Sequence, residues 1–210
     1  QDTMKVCSAL LVLLVALIAG IFCCQAGEHQ NQDGNYPVQS LLTQIYSPFK
    51  EPGRERYVNL QKRIFSRFGV YRITPQKGHR HAGIDLQGSF GEKVFAIGPG
   101  VVVRDYWIFP NRAIAVQHVL GDGSSIYSAY VHIEDIKVRV GQQVDETTEL
   151  GRIFTQAEMR RARYRSPPHL HLEIRNSMFD DGRSSFSSMT MPALNEYCRN
   201  PETFMRSLMR

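Results

Sequence analysis

The spacing of hydrophobic positions changes twice along the chain. From Ala9 to Ile18 they form an uninterrupted run, extended by Ala19-Gly20-Ile21-Phe22. Between Val38 and Phe68 they recur at near-helical intervals, as Leu41, Leu42 and Ile45, then Tyr57, Leu60, Ile64, Phe65 and Phe68. This predicts short helices or turns, broken at Pro48 and at Pro52-Gly53. From Gly69 onward, short β-branched and aromatic runs alternate with turn residues. The runs are Gly83–Leu86, Lys93–Ile97, Val101–Ile108, Ala113–Val119, Ser125–Ile133, Val138–Val140, Leu150–Phe154 and His169–Arg175. Gly98-Pro99-Gly100, Pro110-Asn111 and Gly121-Asp122-Gly123 punctuate them. Many short strands with no long helical period predict an all-β fold, an antiparallel sandwich or barrel, behind a short helical extension. The stretch from Gln156 to Pro168 breaks the pattern with Arg160, Arg161, Arg163 and Arg165, and reads as an exposed basic loop.

The first apolar run has the make-up of a secretory leader. Lys5 precedes it, and the small residues of Cys24-Gln25-Ala26 follow it, ahead of Gly27. Cleavage after Ala26 is expected, with an uncleaved anchor as the alternative. Residues 27–65 then form a polar linker and the helical extension, and residues 66–210 the main domain. Cys7, Cys23 and Cys24 fall in the leader, which leaves Cys198 alone in the exported chain. A secreted domain with one cysteine cannot be a disulfide scaffold, so its core or a metal must hold it together.

Charge narrows the partners only a little. At 210 residues, with a formal net charge of +5 and a pI near 9.1, the chain suits an anionic partner. The basic residues neither form a long run nor interleave with aromatics, so nucleic acid is not expected. A monomer is expected.

The seven histidines carry the candidate chemistry, and six of them lie between 79 and 171. His169 and His171 are two apart on a strand, so both point to one face, while Leu170, Leu172 and Ile174 point into a core. One of the pair can bind a metal while the other moves protons. In the other cluster, His81 and Asp85 bridge a glycine turn and can close on one ion. His79 is a rival partner for His81, but only Asp85 brings a carboxylate. Imidazole and carboxylate donors without paired cysteines describe an open, catalytic zinc site rather than a structural one. His132 ends the alternating run Tyr127-Ser128-Ala129-Tyr130-Val131 and could face the same place.

In order and content, these segments resemble the lysostaphin-type zinc endopeptidases, or LytM-domain family, which cut peptidoglycan cross-bridges. Phe68-Gly69-Val70-Tyr71-Arg72 with Pro75 resembles the family lead-in, and His81-Ala82-Gly83-Ile84-Asp85 its H-x-G-x-D motif. Gly91 to Ala96 and Gly100-Val101-Val102 resemble its core strands. Tyr130-Val131-His132-Ile133, His169-Leu170-His171-Leu172-Glu173 and Asn200-Pro201-Glu202-Thr203-Phe204 follow in family order. The resemblance implies one Zn2+ held by His81, Asp85 and His171, with His169 and His132 doing acid–base and transition-state work. It passes over His79. It also implies peptidoglycan stem peptides as substrate. The segment Arg160 to Arg165 stands where many members carry a Gly/Ser-rich loop, and could hold anionic wall or outer-membrane polymers. The alternative is a catalytically silent relative that binds and activates wall amidases, although such relatives usually lack ligands that this chain keeps.

Overall fold

Strand β12 (His169–Arg175) sets the architecture, because all seven of its residues are buried. Its Leu170, Leu172 and Ile174 enter the main hydrophobic core. Its other face, His169, His171, Glu173 and Arg175, is polar and equally hidden from solvent. Burial of charged groups is costly unless they are paired, so this face must find partners within the fold.

The computed structural model describes residues 36–73, 78–178, 183–188 and 190–210. The leader with its cysteines and cleavage site, His29 and Pro75 lie outside the described residues. The described part belongs to one compact unit, Gly34–Arg210. Among the described residues, no helix is long and apolar enough to cross a membrane.

The larger sheet has eight strands. Along it run β1 (Ile64–Ser66), β4 (Ile84–Gln87), β12, β8 (Ser125–Val131), β7 (Ala113–Val119), β6 (Gly100–Tyr106) and β10 (Gln143–Val144), and β13 (Cys198–Arg199) also pairs with β12. All its pairings are antiparallel. A second sheet orders β5 (Lys93–Phe95), β11 (Glu149–Ile153) and β9 (Ile133–Glu134). Val94, Ile133, Leu150 and Ile153 of this sheet share one core with Ile84, Val102, Ile114, Tyr130 and Leu172 of the larger one. The hairpin of β2 (Tyr71–Arg72) and β3 (His79–Arg80) stands apart. The fold is therefore mostly antiparallel β, as expected, but the sheets stay open and no closed barrel forms among the described residues.

Four short helices complete the described part: α1 (Tyr57–Arg63), α2 (Gln156–Arg161), α3 (Met191–Tyr197) and α4 (Pro201–Leu208). Three depart from the sequence expectations. The basic stretch begins as helix α2, nucleated by a capping box in which Thr155 and Glu158 satisfy each other's backbone amides. Helix α3 follows an N-cap at Thr190 and helix α4 one at Asn200, and neither was anticipated. Val138–Val140 is not a strand, since the chain turns there, with Gln142 N–H bonded to Arg139 O at 3.0 Å.

Candidate metal centre and its cleft

Strand register brings two of the expected ligands together. His171 lies directly across from Asp85 in the β4–β12 pairing, so their side chains share a face. His81 precedes β4, and the turn between them needs Gly83. A Cβ there would stand 2.2 Å from the Leu172 carbonyl oxygen, so only glycine allows β4 to approach β12 so closely.

Three donor atoms converge. His81 Nε2 is 3.0 Å from Asp85 Oδ1 and 2.8 Å from His171 Nδ1, which is itself 3.0 Å from Asp85 Oδ1. All three residues are buried. Outer partners fix the tautomers. The His81 Nδ1–H donates to the Arg67 carbonyl at 2.8 Å, and the His171 Nε2–H donates to Glu173 Oε1 at 2.9 Å. In the neutral rings, His81 Nε2 and His171 Nδ1 therefore both carry bare lone pairs, facing each other and a carboxylate oxygen. Lone pairs this close repel unless a cation lies among them. Donors 2.8–3.0 Å apart can reach one zinc ion at about 2.0–2.2 Å, and imidazole and carboxylate are donors zinc accepts. The residues fit the metal.

In the metal-free site a proton on His171 takes the cation's place among these donors. Burial opposes charge on His171, but hydrogen bonds to Asp85 and Glu173 outweigh it and raise its pKa to about 9. Burial and the neighbouring His171 hold the second imidazole, His81, below its ordinary value. Burial also works against the Asp85 carboxylate, yet the imidazoles of His171 and His81 packed against it hold its pKa well below the usual range. Arg72 clasps the other oxygen of Asp85 and also donates to Ser66 Oγ at 2.9 Å. Behind the site, Glu173 pairs with Arg175 at 2.7 Å and accepts from Ser185 Oγ at 2.5 Å and the Phe186 amide at 3.2 Å. Carbonyl and carboxylate tethers are what ligating histidines need to hold tautomer and orientation.

Above these donors opens a cleft of about 290 Å³ whose lining includes His81, His132, Tyr164, His171, Arg72 and Arg80. His132 marks the point where the chain leaves β8 and enters β9. Its φ of 67° lies in the left-handed region, which ordinary residues seldom occupy. Its N–H is tied to Arg112 O at 3.0 Å. Burial, then the neighbouring His169 and His171, lower its pKa to about 3. The His132 and His169 rings are 5.1 Å apart. His169 donates Nδ1–H to Pro167 O at 2.8 Å, which leaves Nε2 as a free base, and burial lowers its pKa. All five expected site residues thus meet in one place.

His79, passed over as a loop residue, lies on β3 and lines the same cleft. Arg160, Arg161, Arg163 and Arg165 are exposed. Sequence reasoning gave no role to Glu173, Arg72 or Tyr164. Glu173 and Arg72 lay inside quoted motifs. The Tyr164 hydroxyl, 3.1 Å from His132 Nε2, was hidden among the arginines.

Comparison with known proteins adds the kinship. The sequence profile of peptidase family M23 matches residues 79–184, about half of the chain. A curated relative, the peptidoglycan DD-endopeptidase ShyA of Vibrio cholerae, is 29% identical over 125 residues, which cover 57% of this chain and 26% of that protein. The chain thus spans about a quarter of that relative's length. Among solved structures, LytU is 21% identical, with a TM-score of 0.50 over 70% of this chain and 86% of that one, and shares the fold. The catalytic domain of lysostaphin from Staphylococcus simulans is also 21% identical, with a TM-score of 0.48 over 71% of this chain and 97% of its own.

Proposed function

The chain belongs to peptidase family M23, and from that premise we propose that it is an exported zinc metalloendopeptidase acting on the peptide cross-links of bacterial peptidoglycan. His81, Asp85 and His171 hold the zinc, and His169 and His132 serve the reaction. The observation that carries this is the convergence of three donor atoms within 3.0 Å at the floor of a cleft that His132 lines, with the His169 ring 5.1 Å from that of His132. When bound, zinc supplies Lewis-acid polarisation of a carbonyl and makes a water easier to deprotonate. His169, neutral and tethered at Nδ1, takes the proton of the attacking water at Nε2 and returns it to the leaving amine. The water oxygen bonds to the carbonyl carbon as the C–N bond breaks. The His132 side, across the cleft, faces the oxygen that gains charge.

The substrate class draws support from charge as well as from the relative's name. Arg72, Arg80 and Arg183 line the cleft; Arg72 is paired with Asp85 at its floor, and no other carboxylate stands among the described lining residues. Stem peptides carry free carboxylates, which such a wall attracts. Residues 1–26 as a leader and 66–210 as the peptidase domain belong to the same proposal.

Zymography on purified peptidoglycan, with and without a chelator, tests it. The zinc-loaded chain should clear the substrate, the chelator should abolish clearing, and His169→Ala should lose about 10²–10⁴-fold in kcat while still binding one zinc. A wild type that binds one zinc yet leaves cross-linked muropeptides uncut would instead be a silent binding protein. Loss of zinc affinity in His79→Ala but not in Asp85→Ala would refute the ligand set.

A further inference from the structure

The cleft contains a phenol that the chemistry above leaves unused. Tyr164 Oη lies 3.1 Å from Nε2 of His132 and 3.2 Å from Nδ1. Its ring stands 6.3 Å from that of His169 and packs edge-on against Phe154 at 6.4 Å. The backbone delivers it there. Helix α2 ends with Arg163 N–H bonded to Arg160 O and Tyr164 N–H bonded to Met159 O, both at 3.0 Å, around Arg163 at φ 55°. This pair of reverse bonds around a left-handed residue is a Schellman stop, and the residue after the left-handed one is fixed in place. Here that residue is Tyr164.

Counting protons then decides what the phenol does. A neutral imidazole carries one N–H. His132 Nδ1 is 3.3 Å from the Pro110 carbonyl oxygen, which can only accept, so the proton belongs on Nδ1. Nε2 is then a bare acceptor, and the Tyr164 O–H is the donor that meets it. In this state His132 has no proton to offer a developing oxyanion. Tyr164 has one.

We propose that Tyr164 is a catalytic residue of this site. Its O–H turns from His132 Nε2 to the carbonyl oxygen of the scissile peptide as that oxygen gains charge, and His132 is the positioning residue that holds the hydroxyl in place until then. No bond to Tyr164 forms and no proton leaves it. The proton taken from water still passes through His169 to the amine. This inference rests on the proposed peptidase activity, and within it moves the oxyanion donor from His132 to Tyr164.

The test is Tyr164→Phe, which keeps the ring and deletes the donor. On cross-linked muropeptide dimers, the zinc-loaded variant should lose about 10²-fold in kcat with KM changed by no more than about twofold. It should still bind one zinc. In the zinc-free chain, ¹⁵N NMR should show His132 protonated on Nδ1, and Tyr164→Phe should move only its Nε2 resonance, toward that of a nitrogen without a donor. A Tyr164→Phe variant with wild-type kcat, or a wild-type His132 protonated on Nε2, overturns the inference. If the wild type itself cuts no dimer, the proposed activity falls and takes this inference with it. A loss confined to the variant leaves both standing.

Discussion

Glu173 has no solvent exposure and accepts from His171, Arg175, Ser185 and the Phe186 amide. Glu173→Gln keeps an oxygen for His171 but removes the charge that answers Arg175, which is equally buried. Zinc affinity should fall about 10–100-fold, read by competition with a chromophoric chelator. Stability of the metal-free chain should fall by about 3–5 kcal/mol in urea melts, because one side of a buried ion pair is removed. His118 gives a prediction far from the cleft. It is fully buried, donates Nδ1–H to Pro99 O at 2.7 Å and accepts from Ser128 Oγ at 2.7 Å. Burial lowers its pKa to about 4, below an unfolded value of about 6.5. Between these values the unfolded chain binds the proton and the folded chain does not, so stability falls as pH falls through that window. Going from pH 6.5 to 5 should cost about 2 kcal/mol through this group alone. Chelated His118→Gln should be that much less pH-sensitive than the chelated wild type, and equal slopes would contradict the assignment. At this scale, the grouping of the five candidate residues was legible from side-chain type, spacing and family order together. The Arg67 tether on His81 was not, since it is a backbone carbonyl that any residue could supply.

The strands whose sequence alternates cleanly were the easiest to read. Ala113–Val119 and His169–Arg175 form as expected. The run Ser125–Ile133 was read as one strand, but the structure divides it at His132. A hydrophobic pattern does not reveal a left-handed residue when that residue is a histidine rather than a glycine. Helix α2 was missed for another reason. Its cap signature, Thr155 with Glu158 three residues on, was present, but the arginines around it suggested a solvated loop. The stop of α2 gives an element-scale test, because Arg163 holds a φ of 55° that favours glycine. Arg163→Gly should stabilise the chain by about 0.5–1 kcal/mol, since an L side chain in this region costs about 1–2 kcal/mol. For a chain of this size that is about 1–4 °C in melting temperature by calorimetry. Zinc content should not change. A lower melting temperature would mean that the helix stop is not where the strain lies.

Across the whole molecule, the antiparallel β class follows from many short alternating runs, whereas openness depends on whether the outer strands β1 and β10 meet, which alternation does not encode. The segment ahead of the family match carries more of the fold than its patchy pattern suggests. The family profile begins at residue 79, yet Leu42, Ile45, Phe49 and Leu60 are almost wholly buried in the main core. Backbone bonds also tie this segment to the end of the chain, from Ile45 N–H to Leu208 O at 3.1 Å, Tyr57 N–H to Arg210 O at 2.9 Å and Arg210 N–H to Glu55 O at 2.8 Å. Truncating one buried Leu, Ile or Phe to Ala costs about 2–5 kcal/mol. Removing all four side chains with their backbone is therefore as large as the total stability of about 5–15 kcal/mol that a domain of this kind holds. Zinc cannot restore it, because ligand at a thousand times its Kd contributes only about 4 kcal/mol. A chain starting at Ser66 would keep every proposed ligand and both histidines of the reaction. It should nonetheless lack near-ultraviolet circular dichroism, bind a hydrophobic dye and show no cooperative melt, even with saturating zinc. A cooperative melt within a few degrees of the full chain would show that the core closes without residues 36–65, and that the burial of Leu42, Ile45 and Phe49 contributes little to folding.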